Sequence, residues 1–443
     1  MAVSNNTDEI DESRVVRRFE RLQRENRRLR ETVSFKLGYH LTNALRHPWK
    51  LIFLPLSFPI LCIKIGMERL GKFATNNTER PLSEPYDKKN CTVLFPTNGV
   101  GFGHFTRMYA VANELRNTDP DMEIVFFTTM PTLHIPYVDN FPTYHLAGKH
   151  KFSDMNTNTW NMLVEEMLTL VIETHSPSNF IFDGAFPYRG MLDSIYGRDE
   201  INKIWMRRGM FKKGKTVPVG SIEHFDLIVH PGDAIDVIDS EIEHNVEVLK
   251  TNPVILLDSE KMFTKDVAKN RLGLPADSKV TYVQLGAGQI NDIESEIRLT
   301  IDALLEHENM HVVVGESMLG ERIEISDERV HLLRDYPNSL YFHAFDYSIQ
   351  AGGYNSFHEM RVMKIPTLFY PNMNTGMDDQ KARCEIAEQE GWGIVLEQRT
   401  PKLVNKSVNN LINTIRRTNI TVRKSGAREL AEILNIKMEE FND

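Results

Sequence analysis

Apolar and polar positions along this chain follow several rhythms, and the changes between them divide it. From Val15 the apolar positions step through Phe19, Leu22, Asn26, Leu29 and Val33 at intervals of four and three. This is a heptad seam with Phe19, Asn26 and Val33 at a and Val15, Leu22 and Leu29 at d. An asparagine at a pairs only with its mate across the seam, and Glu25 and Arg30 fall at g and the following e, so the pattern predicts a homodimer through residues 15–33. A solvated or lipid-facing basic helix is the other reading, because the seam covers fewer than three heptads. Next, residues 51–63 are uncharged, broken by Pro55 and Pro59 and flanked by Trp49, Lys50 and Lys64. A spanning helix takes about twenty apolar residues. The run therefore predicts an interfacial or shallow re-entrant anchor with its lysines at headgroup level. A core segment is the alternative.

Residues 74–90 lack periodicity and read as a linker. Beyond them, short apolar runs alternate with helical patterns. Runs at 92–96, 123–128, 180–183, 201–206 and 225–230, with a helix over 159–173, form one series. Runs at 279–285, 310–314, 329–332, 347–350, 367–370 and 393–396 form another. Two such series predict an α/β protein of two Rossmann-like domains facing a cleft. The divisions are 1–34 for a tail and short coiled coil, 35–73 for an amphipathic membrane-associating segment and 74–90 for the linker. They continue with 91–260 and 261–415 for the two domains and 416–443 for a C-terminal helix.

Composition narrows the picture. Hydrophobic residues at 41% and charged ones at 26% of 443 describe a globular chain, and a net charge of -9 argues against nucleic acid as partner. Yet Arg14, Arg17, Arg18, Arg21, Arg24, Arg27, Arg28 and Arg30 crowd one segment, which predicts attraction to an anionic membrane surface at about 1 kcal/mol per residue. Cys62, Cys91 and Cys384 have no metal-ligand spacing and suit a reducing compartment. The first dozen residues carry no signal-peptide pattern, and the basic flank predicts a cytoplasmic protein attached to the inner face of the membrane.

Candidate chemistry gathers at two loops. Gly352 and Gly353 precede Tyr354, Asn355, Ser356, Phe357, His358 and Glu359 in a helical pattern. Glycines before a helix let backbone N–H groups approach a pyrophosphate at the positive end of the helix dipole. Glu359 falls in the second turn, where a carboxylate accepts both ribose hydroxyls. Asp379 and Gln380 follow the strand at 367–370, at the carboxyl end where open α/β sheets bind ligands. The loop with Gly286 and Gly288 is expected to approach the same phosphates, and Gly315-Glu316-Ser317 either lines a nucleobase pocket or is a plain turn. In the first domain, Gly99, Gly101 and Gly103 lead into His104 and Arg107. A helix N-terminus favours the neutral imidazole that a general base requires. Arg107 is expected at a phosphate or in solvent. Asp183 ends a strand before Phe186 and Arg189; it reads as a second base candidate beside an acceptor site, or as a helix N-cap.

The GGYNSxxE and DQ arrangement resembles the C-terminal half of the GT-B nucleotide-sugar glycosyltransferases, including the UDP-glycosyltransferases and the peptidoglycan N-acetylglucosaminyltransferase. The resemblance implies phosphate contacts from Gly352, Gly353, Asn355 and Ser356, a ribose contact from Glu359, and sugar contacts from Asp379 and Gln380. It departs where the UDP-glycosyltransferase pattern has a histidine before the glycine pair and a tryptophan after it; here stand Ala351 and Tyr354. The pyrophosphate must then rely on backbone amides or another side chain. The loop with His104 is similar to the glycine-rich loop and histidine of the peptidoglycan transferase.

The implied activity is inverting transfer from a nucleotide-sugar, a UDP-sugar above all, to a lipid-linked or cell-envelope glycan, with His104 or Asp183 as base. No cofactor or metal is expected, since the helix N-terminus supplies positive charge and no Asp-x-Asp motif adjoins the donor loop. The C-terminal helix is expected to return to the first domain, as in GT-B chains. A nucleotide-sugar 2-epimerase of the same fold and a non-catalytic glycan-binding scaffold are the alternatives. Retention of Glu359, Asp379 and Gln380 argues against the scaffold, because buried polar groups are costly to desolvate.

Overall fold

A computed structural model describes residues 32–69, 88–97, 101–207, 219–235, 245–286, 293–316, 318, 324–373, 378–414 and 425–440. The chain divides into one unit over 1–84 and another over 85–443. The heptad positions before Val33 and most of the expected linker lie outside the described residues.

In the first unit, Thr32 accepts the Phe35 N–H at 3.2 Å and so caps α1 (Val33–Arg46). One helical turn, Pro48–Leu51, leads to α2 (Leu54–Arg69), which carries Pro59 in its interior. His40 Nε2 lies 2.9 Å from Ser57 Oγ, and Lys50 Nζ donates to Asn43 Oδ1 at 3.3 Å, tying the helices together. Their apolar side chains remain largely outside: Trp49, Ile52, Phe53 and Leu56 at the turn are 62%, 77%, 59% and 71% exposed. No acidic residue occurs between Val33 and Met67. The exposure of these side chains departs from the core-segment alternative, and no helix among the described residues is long and apolar enough to cross a membrane.

The second unit holds two parallel sheets. The first has the order β3-β2-β1-β4-β5-β6-β7, comprising β1 (Lys89–Pro96), β2 (Glu123–Thr128), β3 (Thr143–His145), β4 (Pro177–Asp183), β5 (Asn202–Met206), β6 (Leu227–Pro231) and β7 (Glu247–Thr251). Its major helices are α3 (Gly103–Thr118), α4 (Thr157–His175) and α5 (Arg189–Ile195). Successive strand residues face opposite sides: Val93 and Phe95 join a core with α4 and α5, whereas Leu94 joins one with α3. Both faces are covered, so the strands read as continuous apolar runs. β3 and β7 escape that signature, β3 because it is three residues long and β7 because it is an edge strand with exposed polar positions. β1 starts at Lys89, inside the expected linker.

The second sheet has the order β10-β9-β8-β11-β12-β13. Its parts are α6 (Lys265–Arg271), β8 (Lys279–Gln284), α7 (Ile293–Leu305), β9 (Met310–Gly315), β10 (Val330–Leu333), β11 (Tyr347–Gln350), α8 (Tyr354–Met363), β12 (Thr367–Phe369), α9 (Gln380–Gln389), β13 (Gly393–Val395) and α10 (Pro401–Thr414). The chain crosses between halves after β7: Val254 and Leu256 belong to the first core, Met262 to the second, and Leu257 packs against both. The last helix, α11 (Gly426–Glu440), places Ala427, Leu430, Ala431 and Leu434 in the first core, one helical stripe at spacings of three and four.

Candidate active site

Adjacent parallel strands end level with one another, so the segment leaving β1 meets the last residue of β4. Pro96 is in register with Asp183, and α3 begins seven residues later. His104, in its first turn, brings Nδ1 to 2.7 Å from Asp183 Oδ1. Arg107, three residues on, donates Nε to Oδ2 at 2.9 Å and Nη2 to Oδ1 at 2.7 Å. Nη2 also lies 2.8 Å from His104 Nδ1. Nδ1 thus lies between a donor, the Arg107 guanidinium, and an acceptor, the Asp183 carboxylate; the tautomer that donates Nδ1–H to Asp183 leaves the imidazole lone pair on Nε2. Burial pushes the Asp183 carboxyl up, but the Arg107 charge and the His104 contact outweigh it and hold the group below the usual carboxylate range. Of the three, His104 reaches solvent, with 23% of its side chain exposed against 3% for Arg107 and 1% for Asp183.

Two alternatives are settled here. Arg107 is not in solvent: its side chain is 3% exposed, and Nε and Nη2 serve Asp183, because a buried carboxylate needs a counterion. Asp183 caps no helix, since Tyr188 is the N-cap of α5. Arg189 opens α5 on the surface, 78% exposed, with Nε 3.8 Å from Asp193. Gly101 borders open space, and Gly103 is the first residue of α3.

The donor-side loop joins β11 to α8. Gly352 has φ +79°, and a Cβ there would stand 2.3 Å from Cys384 Sγ, so glycine is required for both conformation and contact with α9. Gly353 caps α8, and a Cβ there would meet nothing within 4 Å. Behind it lie the first-turn amides, which an α-helix leaves without intrahelical acceptors, and Ser356 is among these residues. Asn355 reaches the other half instead of open space: Nδ2 donates to the Gly103 carbonyl at 3.3 Å. Tyr336 makes a second bridge, its hydroxyl donating to Thr106 Oγ1 at 3.1 Å while its ring packs on Phe102 and Tyr109.

Glu359, partly buried in the second turn of α8, has no hydrogen-bond or ion-pair partner among the described residues. Burial pushes its carboxyl up to about 8. Asp379 is the N-cap of α9, with Oδ1 accepting the Ala382 N–H at 3.1 Å, and Gln380 Oε1 accepts the Asn372 N–H at 2.9 Å. The Gln380 oxygen thus holds the loop after β12, while Asp379 Oδ2 and the Gln380 amide nitrogen have no hydrogen bond among the described residues. Gly286 has φ +103°, and Gly288 and Ser317 lie outside the described residues. Glu316 is buried beside β10, its N–H bonded to the Leu333 carbonyl.

Asp233, His358, Asp378 and Arg383 are absent from the sequence-derived set, yet they form a buried ionic group under the donor loop. One signal was available. Arg383, Cys384 and Ala387 form the buried stripe of α9, and an arginine at an apolar phase position demands a buried partner. One potential metal-ligand group occurs among the described residues, Cys91, Glu123 and His175. It sits at the amino end of β1 and β2, away from His104, and its bonds are internal: His175 Nδ1 to Glu123 at 2.8 Å and Nε2 to the Tyr144 hydroxyl at 2.8 Å.

Two parallel Rossmann-like halves, in contact through the loops at their carboxyl-terminal strand ends and closed by a returning C-terminal helix, define the GT-B architecture. No family model matches the chain. It is 24% identical over 341 residues to the UDP-N-acetylglucosamine--N-acetylmuramyl-(pentapeptide) pyrophosphoryl-undecaprenol N-acetylglucosamine transferase of Clostridioides difficile (strain 630), an alignment covering 72% of this chain and 81% of that one. Acinetobacter baumannii MurG superposes with a TM-score of 0.50 at 13% identity, over 79% of this chain and all (100%) of that one. The UDP-GlcNAc 2-epimerase of Methanocaldococcus jannaschii superposes at 0.51 and 11%, over 78% and 99%. The chain is similar to the GT-B nucleotide-sugar glycosyltransferases, and it is an enzyme of the glycosyltransferase class.

Proposed function

We propose that this glycosyltransferase moves a sugar from a UDP-sugar to a hydroxyl of a lipid-linked or cell-envelope glycan, with inversion at the anomeric carbon and no metal. The observation that carries this reading is the bond between Asn355 and the Gly103 carbonyl. It sets the donor loop one side chain away from the loop bearing His104, so base and phosphate site share one cleft.

In the reaction, His104 Nε2 accepts the proton of the acceptor hydroxyl while its oxygen attacks C1. Asp183 holds the ring through Nδ1 and stabilises the imidazolium that forms. The bond from C1 to the β-phosphate oxygen breaks, and UDP leaves with its new charge facing the first-turn amides of α8. Glu359 receives the ribose hydroxyls, and Asp379 and Gln380 the donor sugar. The Clostridioides difficile relative acts, by its name, between UDP-N-acetylglucosamine and an undecaprenol-linked sugar, which supports both substrate classes.

Incubation with a panel of UDP-sugars, with and without a lipid-linked glycan, tests the reading. The expected result is acceptor-dependent release of UDP with no epimer of the donor. Epimer formed from donor alone would instead establish the rival reading that the 2-epimerase likeness supports, and failure to bind any nucleotide-sugar would favour the scaffold.

The exposed apolar turn and the absence of acidic residues from Val33 to Met67 support attachment to an anionic membrane surface at the cytoplasmic face. A dimer through 15–33 would double that contact. The full chain is expected to sediment with vesicles containing anionic lipid, and a chain lacking residues 1–73 to stay in the supernatant. Equal sedimentation of both would refute the attachment.

A further inference from the structure

Arg383 has a side chain with 0% exposure. Its guanidinium donates Nε to Asp233 Oδ1 at 2.8 Å, Nη2 to Asp233 Oδ2 at 2.8 Å and to Asp378 Oδ1 at 2.7 Å, and Nη1 to the Gly352 carbonyl at 3.0 Å. Asp233 belongs to the other half, two residues beyond the end of β6. It also lies 3.1 Å from His358 Nε2, one turn into α8. Next to this group, the Tyr354 hydroxyl donates to the Gly232 carbonyl at 2.8 Å and accepts the Val254 N–H at 3.0 Å. The bonds to Asp233, Gly232 and Val254 thus link α8 and α9 to the segments that leave the first sheet, while those to Asp378 and Gly352 tie α9 to the segment before it and to the donor loop.

A buried guanidinium persists only where its charge and donors are met. Here one of the acceptors is the backbone of the donor loop itself. A trans peptide is planar, so its carbonyl and the following N–H point in opposite directions. Fixing the Gly352 carbonyl on Arg383 therefore turns the Gly353 N–H away from the buried group, and a Cβ at Gly353 itself would meet nothing within 4 Å. That N–H has no acceptor among the described residues.

We propose that Arg383 is a positioning residue of the donor site: it pins the Gly352 carbonyl to Asp233 of the other half, aims the Gly353 N–H at the donor pyrophosphate, and makes donor affinity depend on how the halves seat. The inference rests on the transferase reading. It accounts for a phosphate site that has Ala351 where the UDP-glycosyltransferase pattern has histidine: the cation acts from beneath the loop, through the backbone, without touching ligand.

The test uses UDP as probe, with dissociation constants from calorimetry and melting temperatures for each protein. Arg383→Lys keeps the charge but cannot serve Asp233, Asp378 and Gly352 together, and Asp233→Asn removes the counterion from the opposite half. Both are expected to weaken UDP binding at least about tenfold, the usual loss when a fixed charged hydrogen bond is removed. Val404→Ala, in the core face behind β12, is the control for destabilisation alone and should lower the melting temperature with UDP affinity unchanged. Where the first two do not fold, His358→Asn, which removes one bond to Asp233, carries the same comparison with about a threefold weakening. Wild-type affinity in the variants, or an equal loss in Val404→Ala, overturns the positioning role while leaving the transferase reading intact. A wild-type protein that binds no UDP overturns both.

Discussion

His104→Ala is expected to bind UDP within about threefold of wild type and to lose transfer by about a thousandfold, the middle of the range for removing a general base. The imidazole meets the acceptor proton only as the new bond forms, so its removal subtracts from the transition state and not from donor binding. Asp183 cannot substitute, being buried and bonded on both oxygens by Arg107. Asp183→Asn is a harsher change, for it leaves the Arg107 guanidinium buried without its counterion, and it should cost stability as well as turnover. Near-normal transfer by His104→Ala would end the assignment. A matching loss of UDP affinity would place the histidine at the donor instead.

The second large effect is a pH dependence. Glu359 is pushed up to about 8 by burial, so the empty site holds a neutral carboxylic acid at pH 7. A ribose diol donates two hydrogen bonds and favours the carboxylate, so donor binding releases a proton. Affinity for a UDP-sugar, whose pyrophosphate diester has no proton titrating nearby, should rise from pH 6 to 8 by up to about tenfold per unit and level off above. Glu359→Gln cannot ionise; its profile should be flat, and at pH 9 it should bind roughly ten- to a hundredfold more weakly than wild type. A pH-independent wild-type constant would remove Glu359 from the ribose site. The sign for stability is opposite. The folded carboxyl binds its proton above the ordinary value of 4.5, so the unliganded protein loses stability as pH rises from there through about 8. Bound donor should cancel much of that loss.

Much of the fold was legible because doubly covered parallel strands must be apolar on both faces: β1, β4, β8 and β12 stand out as short uninterrupted runs. β3 and β7 did not, being short or at the sheet edge. In the site, the positions of Gly352, Glu359 and His104 came from strand-to-helix spacing. The partners did not. His104 and Asp183 are 79 residues apart, Asn355 and Gly103 252 apart, and Arg383 and Asp233 150 apart, and no local periodicity encodes contact over such separations. Arg107 shows the difference most plainly. A first-turn arginine beside a glycine loop has the chemistry to hold a phosphate, and only the arrival of β4 beneath it turned Nε and Nη2 to Asp183.

By itself, then, the sequence determined which elements form and which residue types stand at their ends, because helix and strand periods, glycine loops and capping residues act over a few positions. Tertiary structure decided what those end residues do. It made Asp379 a helix cap as well as a sugar candidate, bound Asn355 across the cleft, and placed Arg383 beneath the loop it holds. The reason is desolvation: once two halves close over charged groups, each must find a partner, and the partner is whichever chain segment the fold brings there.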